Sequence, residues 1–226
     1  MIESHLKTNQ DITVLLADDH SVVRDGVKAV IKKMDPYIRI VGEAANGREV
    51  LSQAEQNSAD VYVIDVAMPG LNGIETLERL LRMRPRSKVL MLSMYADKVL
   101  VEKAMKKGAR GYVLKESTSE EIVNAIHEVH RGHFYLSPGI AGYLVEGFLH
   151  NGDGSGGEVL ESTLTSRQRE ILQLICEGMT ERNIAEALNL SPHTIHVHKN
   201  NIMKKLNIHT KAGLIKHAIK QGIVQI

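Results

Sequence analysis

The chain has 226 residues, 43% hydrophobic and 24% charged, with a formal net charge of +1, which suits one large globular domain or two ordinary ones. No apolar run approaches the roughly 18 residues that a membrane-spanning helix needs. The opening MIESHLKTNQD lacks a signal-peptide pattern, and a single cysteine, Cys176, excludes an internal disulfide. The expectation is a cytoplasmic protein with no membrane partner.

The first 131 residues alternate short β-branched runs with amphipathic stretches. Strands are predicted at ITVLLA (12–17), IRIVGEA (38–44), VYVID (61–65), KVLMLS (88–93) and GYVLK (111–115). Helices are predicted near 21–34, 47–57, 72–83, 97–107 and 118–131. Strict alternation with crossovers of this length implies a doubly wound α/β fold around a five-stranded parallel sheet. Residues 132–160 read as a linker with room for one short helix, and NGDGSGGE (151–158) is Gly-rich and polar enough to be flexible.

Residues 161–226 read as four helices. Thr165 and Gln168 form a capping-box pair before REILQLICEG. TERNIAEALN (180–189) follows, then SPHTIHVHKNNIMKKLN (191–207), with Ser191 as cap and Pro192 at the first helical position. A last helix follows Thr210. Short helices joined by short turns suggest a helix-turn-helix. This segment carries 9 bases against 5 acids, whereas residues 1–131 balance at 19 and 19. The surplus points weakly to a polyanion.

Parallel topology brings the carboxyl ends of the strands to one edge, where ligands of such sheets bind. There the sequence places Asp18 and Asp19, Asp65, Ser93 and Lys115. Three converging carboxylates call for a hard cation, and Mg²⁺ suits carboxylates, waters and phosphate oxygens. Asp65 is a candidate nucleophile toward phosphorus, with Lys115 and Ser93 positioned to bind phosphoryl oxygens.

The set ADDH, VIDVAMPGLNG, LMLS and GARGYVLK resembles the receiver domain of two-component response regulators, over about residues 11–131. The resemblance implies a flavodoxin-like fold with Asp65 as phosphoacceptor and Asp19 as direct Mg²⁺ ligand. Asp18 would act through water, and the backbone carbonyl of Ala67 would complete the site. It further assigns Ser93 and Tyr112 as the switch pair, with Tyr112 rotating into space that Ser93 vacates, and Lys115 as the phosphate contact. Gly73 is read as loosening the start of the next helix.

On the 191–207 helix, Ile195, Ile202 and Leu206 fall within about 40° of one another, forming a core stripe. His193, His196, Val197, Asn200 and Lys204 share an opposite arc of about 100°, a face suited to a major groove. The whole segment resembles the LuxR-type helix-turn-helix, so the full chain is similar to NarL/FixJ-family transcription regulators. The resemblance implies base reading by His196, Val197 and Asn200, phosphate contacts by Lys199 and Lys204, and a further DNA contact at Thr194. It also implies dimerisation through the last helix. Gln168 stands where the family commonly has Glu, but it can still cap.

The implied partners are a sensor histidine kinase, double-stranded promoter DNA, a second copy of the chain and RNA polymerase. The implied control has the receiver hide the DNA-reading surface until Asp65 is phosphorylated. Competing readings are weaker. Zinc at His193, His196 and His198 lacks a completing acid or cysteine. A phosphohydrolase would want an acid where Ala67 stands, together with a substrate cap. A receiver that is never phosphorylated would not need its full pocket. An enzyme is therefore not expected, and Cys176 reads as a small buried hydrophobe rather than a redox centre.

Overall fold

The computed structural model describes residues 11–94, 96–142 and 164–224. Strands β1 (Ile12–Ala17), β2 (Ile38–Ala44), β3 (Val61–Asp65), β4 (Lys88–Ser93) and β5 (Gly111–Leu114) alternate with five helices. These are α1 (Ser21–Met34), α2 (Gly47–Gln56), α3 (Gly73–Met83), α4 (Lys98–Lys106) and α5 (Ser119–Arg131). A short strand β6 (Tyr135–Leu136) follows, and a helix α6 is described over 138–142. The sheet is wholly parallel, in the order β2-β1-β3-β4-β5-β6.

Two differences from the sequence reading lie past α5. The sheet has six strands rather than five, because Tyr135 and Leu136 pair with Gly111 and Tyr112. A two-residue strand is too short to show alternation, and a αL glycine at the end of α5, Gly132 (φ 88), turns the chain back to the sheet edge. So the stretch read as linker begins with ordered structure. The 151–158 linker itself lies outside the described residues.

Strand pleating divides the apolar residues between two faces. Leu15, Ala17, Tyr62, Ile64, Val89, Met91 and Tyr112 pack under α2, α3 and α4. Val14, Leu16, Val61, Val63, Leu90, Leu92 and Val113 pack under α1 and α5. Consecutive apolar residues in β3 are needed because both faces are covered.

The C-terminal unit holds α7 (Ser166–Cys176), α8 (Glu181–Leu188), α9 (Pro192–Leu206) and α10 (Lys211–Lys220) around its own core. The Thr165–Gln168 capping box forms, so Gln at that position caps as expected. Ser191 accepts from the Thr194 N–H, and Asn189 and Asn207 take the left-handed conformation that ends α8 and α9.

Candidate phosphoacceptor and DNA-reading sites

β1 lies between β2 and β3, so the connections from β1 diverge and leave a crevice at its carboxyl end. Asp18 follows β1 and Asp65 ends β3. Both are buried, and Lys115, following β5, places its Nζ 2.6 Å from Asp18 Oδ2 and 2.9 Å from Asp65 Oδ2. Residues from positions 18 to 115 thus meet at one point. The Ala67 N–H donates to Asp65 Oδ1 at 3.2 Å. Asp19 is partly exposed at the rim, with its carboxylate 2.8 Å from His20 Nδ1. Ser93 is buried at the end of β4.

Burial is the main influence raising the Asp65 carboxyl above the usual range; Asp18 adds to it and Lys115 opposes it. Burial also disfavours a charged Lys115, but its contacts with Asp18 and Asp65 outweigh that and raise its pKa. Two buried carboxylates facing one ammonium, with Asp19 at the rim, leave a local excess of negative charge. Asp18, Asp19 and His20 are the one group of three or more potential metal ligands clustered among the described residues. The excess charge and the oxygen-rich donors fit a hard dication.

Tyr112 is fully buried, and burial pushes its phenol up to about 12. Gly73 does not loosen α3. A Cβ there would stand 2.0 Å from the backbone oxygen of Asp65, so the missing side chain lets the helix press against the end of β3.

The two units are docked through α7. Glu170, fully buried, receives Arg79 Nη2 at 2.7 Å, Arg167 Nη1 at 3.0 Å and Arg48. Arg169 reaches Glu75, and Ser166 Oγ donates to the same carboxylate at 2.8 Å. Gln173 donates to Met68 O at 2.9 Å and accepts from the Asn72 N–H at 3.1 Å. Glu177 accepts from the Gly70 N–H at 3.0 Å. Beyond α10, Gln221 O accepts from Lys103 Nζ at 3.2 Å, and Gly222 lies against Leu100 of α4. Sequence reasoning missed these residues, whose partners across the two units lie 91 to 122 positions away. One signal was available. ILQLIC is apolar around the helix rather than along a stripe, the mark of a helix covered on more than one side.

The candidate DNA-reading face is elsewhere. His193, His196, Val197, Asn200 and Lys204 are exposed on α9, opposite buried Ile195 and Ile202. The receiver packs on α7 and the end of α10, and in this structure it leaves the candidate reading residues of α9 exposed, where a hidden face was expected. Lys199 is partly buried and donates to Glu181 at 2.8 Å, while Thr194 closes the helix start with Ser191. Cys176 is half-buried, with its thiol pushed up to about 11, as for an inert thiol.

An acidic, lysine-bridged pocket at the sheet edge and a basic-ended helical unit define a receiver domain joined to a helix-turn-helix domain. Residues 14–127 match the response regulator receiver domain, and residues 162–218 match bacterial regulatory proteins of the luxR family. The transcriptional regulatory protein MctR of Rhizobium johnstonii is 38% identical over 213 residues, covering 94% of this chain and 95% of that protein. The nitrate/nitrite response regulator protein NarL of Escherichia coli K12 is 34% identical over 206 residues, covering 91% and 94%. The crystal structure of the response regulator ChrA is 30% identical, with a TM-score of 0.51, over 95% of this chain and all of that one. The chain belongs to the two-component response regulators with a LuxR-type DNA-binding domain; it is a transcription regulator and not an enzyme. Among the described residues, no helix is long and apolar enough to cross a membrane.

Proposed function

We propose that a sensor histidine kinase transfers a phosphoryl group to Asp65, and that this controls dimerisation and sequence-specific binding to promoter DNA. The observation that carries this is the Asp18–Lys115–Asp65 cluster, whose lysine bridges both buried carboxylates. An Asp65 oxygen would attack phosphorus as the bond to the kinase imidazole breaks. Lys115 would move from Asp65 to the new phosphoryl oxygens, and Ser93 would donate to one of them. Mg²⁺, held by Asp18, Asp19, Asp65 and the Ala67 carbonyl, would neutralise the incoming charge.

Supporting the route outward is the position of α4 between the Ser93–Tyr112 pair and the end of α10, which rests on Leu100 and Lys103. A changed α4 surface would free α10, through which the family resemblance implies pairing. Two copies would then read paired half-sites through His196, Val197, Asn200 and Thr194, with Lys199 and Lys204 toward phosphates. RNA polymerase is the partner at the promoter, in the cytoplasm. The proposed domains are 11–131 and 161–226, joined through 132–160.

The test is intact mass after incubation with a small-molecule phosphodonor, with and without Mg²⁺. The expected result is one phosphoryl group gained only with Mg²⁺ by the wild type and none by Asp65→Asn. Equal labelling of both proteins would overturn the assignment of Asp65.

A further inference from the structure

Glu181 is the first residue of α8, just after its cap Thr180, yet its carboxylate is used by α9. Its Oε1 accepts from Lys199 Nζ at 2.8 Å, and its Oε2 lies 3.2 Å from His196 Nδ1. An ionised carboxylate only accepts hydrogen bonds, so the proton between Glu181 and His196 belongs to Nδ1. The hydrogen bond from Lys199, the largest influence, and the one from His196 hold its carboxyl below the ordinary range and keep it ionised at neutral pH. With Nδ1 protonated, the neutral imidazole carries a bare lone pair on Nε2. That nitrogen, at the far side of an exposed ring, makes no hydrogen bond with any described residue.

Resting on the reading of α9 as the base-reading helix, we propose that Glu181 is a specificity-determining residue: it fixes the His196 tautomer so that an acceptor is offered to the DNA. An acceptor in the major groove selects an amino donor, N6 of adenine or N4 of cytosine, and disfavours guanine, which offers only O6 and N7 there. Lys199 takes part by occupying Oε1, so the carboxylate cannot rotate away from the ring. Glu181→Gln would reverse the outcome. Its single oxygen would go to Lys199, its amide N–H would donate to Nδ1, and the proton would pass to Nε2. The ring would then present a donor, which guanine accepts.

The experiment is selection from a duplex pool with randomised positions at neutral pH and fixed salt, using the full chain and its Glu181→Gln, Glu181→Ala and His196→Ala variants. For the wild type, one position per half-site is expected to favour adenine or cytosine over guanine by roughly 5-fold or more. Glu181→Gln is expected to turn that position toward guanine. Glu181→Ala flattens it to within about twofold, other positions being kept. A uniform loss of affinity with an unchanged base preference in both Glu181 variants would overturn the proposal and leave Glu181 a structural residue. If His196→Ala keeps the wild-type preference, base reading by His196 fails, and the proposal with it. If His196→Ala loses the preference while Glu181→Gln keeps it, the reading helix stands and only the role of Glu181 falls. Glu181 and His196 are partly exposed, and thermal melts check that each variant is folded.

Discussion

At Gly73 there is no room for a single carbon: the Asp65 carbonyl oxygen would stand 2.0 Å from a Cβ. Gly73→Ala must push α3 off the acceptor strand, at a cost of about 1–3 kcal/mol. A lowered melting temperature together with slower phosphorylation is expected, and a melt with phosphodonor labelling measures both. The pocket makes a second prediction. Asp65 is raised by burial and by Asp18, so its contribution to stability is fully present below the ordinary carboxylate pKa and is lost as pH rises through its folded value. Asp65→Asn removes that loss. In Mg²⁺-free buffer it is expected to melt higher than wild type at pH 7, with the gap closing at acid pH; equal melting at all pH values would contradict it.

At the scale of the element, α7 shows how one helix serves two units. Ile171, Leu172, Leu174 and Ile175 are buried, and so are Glu170 and Gln173, which lie against the receiver. Burial opposes the Glu170 charge most strongly, but Arg79, Arg167 and Arg48 together hold its carboxyl below the usual range. Docking gains from this charge above the ordinary glutamate value and loses the gain as pH falls through the docked value. Glu170→Gln leaves arginines facing a neutral amide and is expected to weaken docking by about 2–4 kcal/mol. Small-angle scattering should show a longer particle, while DNA-domain melting changes little. Gly222→Ala reaches the same end by sterics, since its Cβ would meet Leu100 Cδ2 at 2.1 Å on a backbone with φ +61.

The whole molecule joins three apolar clusters, two on the sheet and one among the last four helices, through a polar clasp. That clasp uses none of the candidate reading residues of α9, His193, His196, Val197, Asn200 and Lys204. Control through pairing rather than unmasking therefore makes a specific forecast. A fragment lacking residues 1–150 is expected to bind a single half-site duplex within about threefold of the full chain at equal salt. Phosphorylation should raise affinity mainly on paired half-sites, through effective concentration. Anisotropy titrations on one and two half-sites separate the two effects. A large gain on the single half-site would restore occlusion.

Local chemistry was enough to place β1 to β5, the helices between them and the four C-terminal helices. Periodicity, caps and punctuating glycines act over a few residues, and all are present in the sequence. The pocket was legible for the same reason: parallel topology sends strand ends to one edge, so Asp18, Asp65, Ser93 and Lys115 follow from the strands themselves. Tertiary structure alone decided what lacks a local signature. β6 is two residues of edge pairing. Gly73 matters only because Asp65 lies above it. The clasp of Glu170, Gln173 and Glu75 joins groups about a hundred residues apart, and a buried charge looks in sequence like a solvated one until its partners are known. Likewise His196 could be read as a groove-facing ring, but its proton is placed by Glu181, which reaches it from another helix.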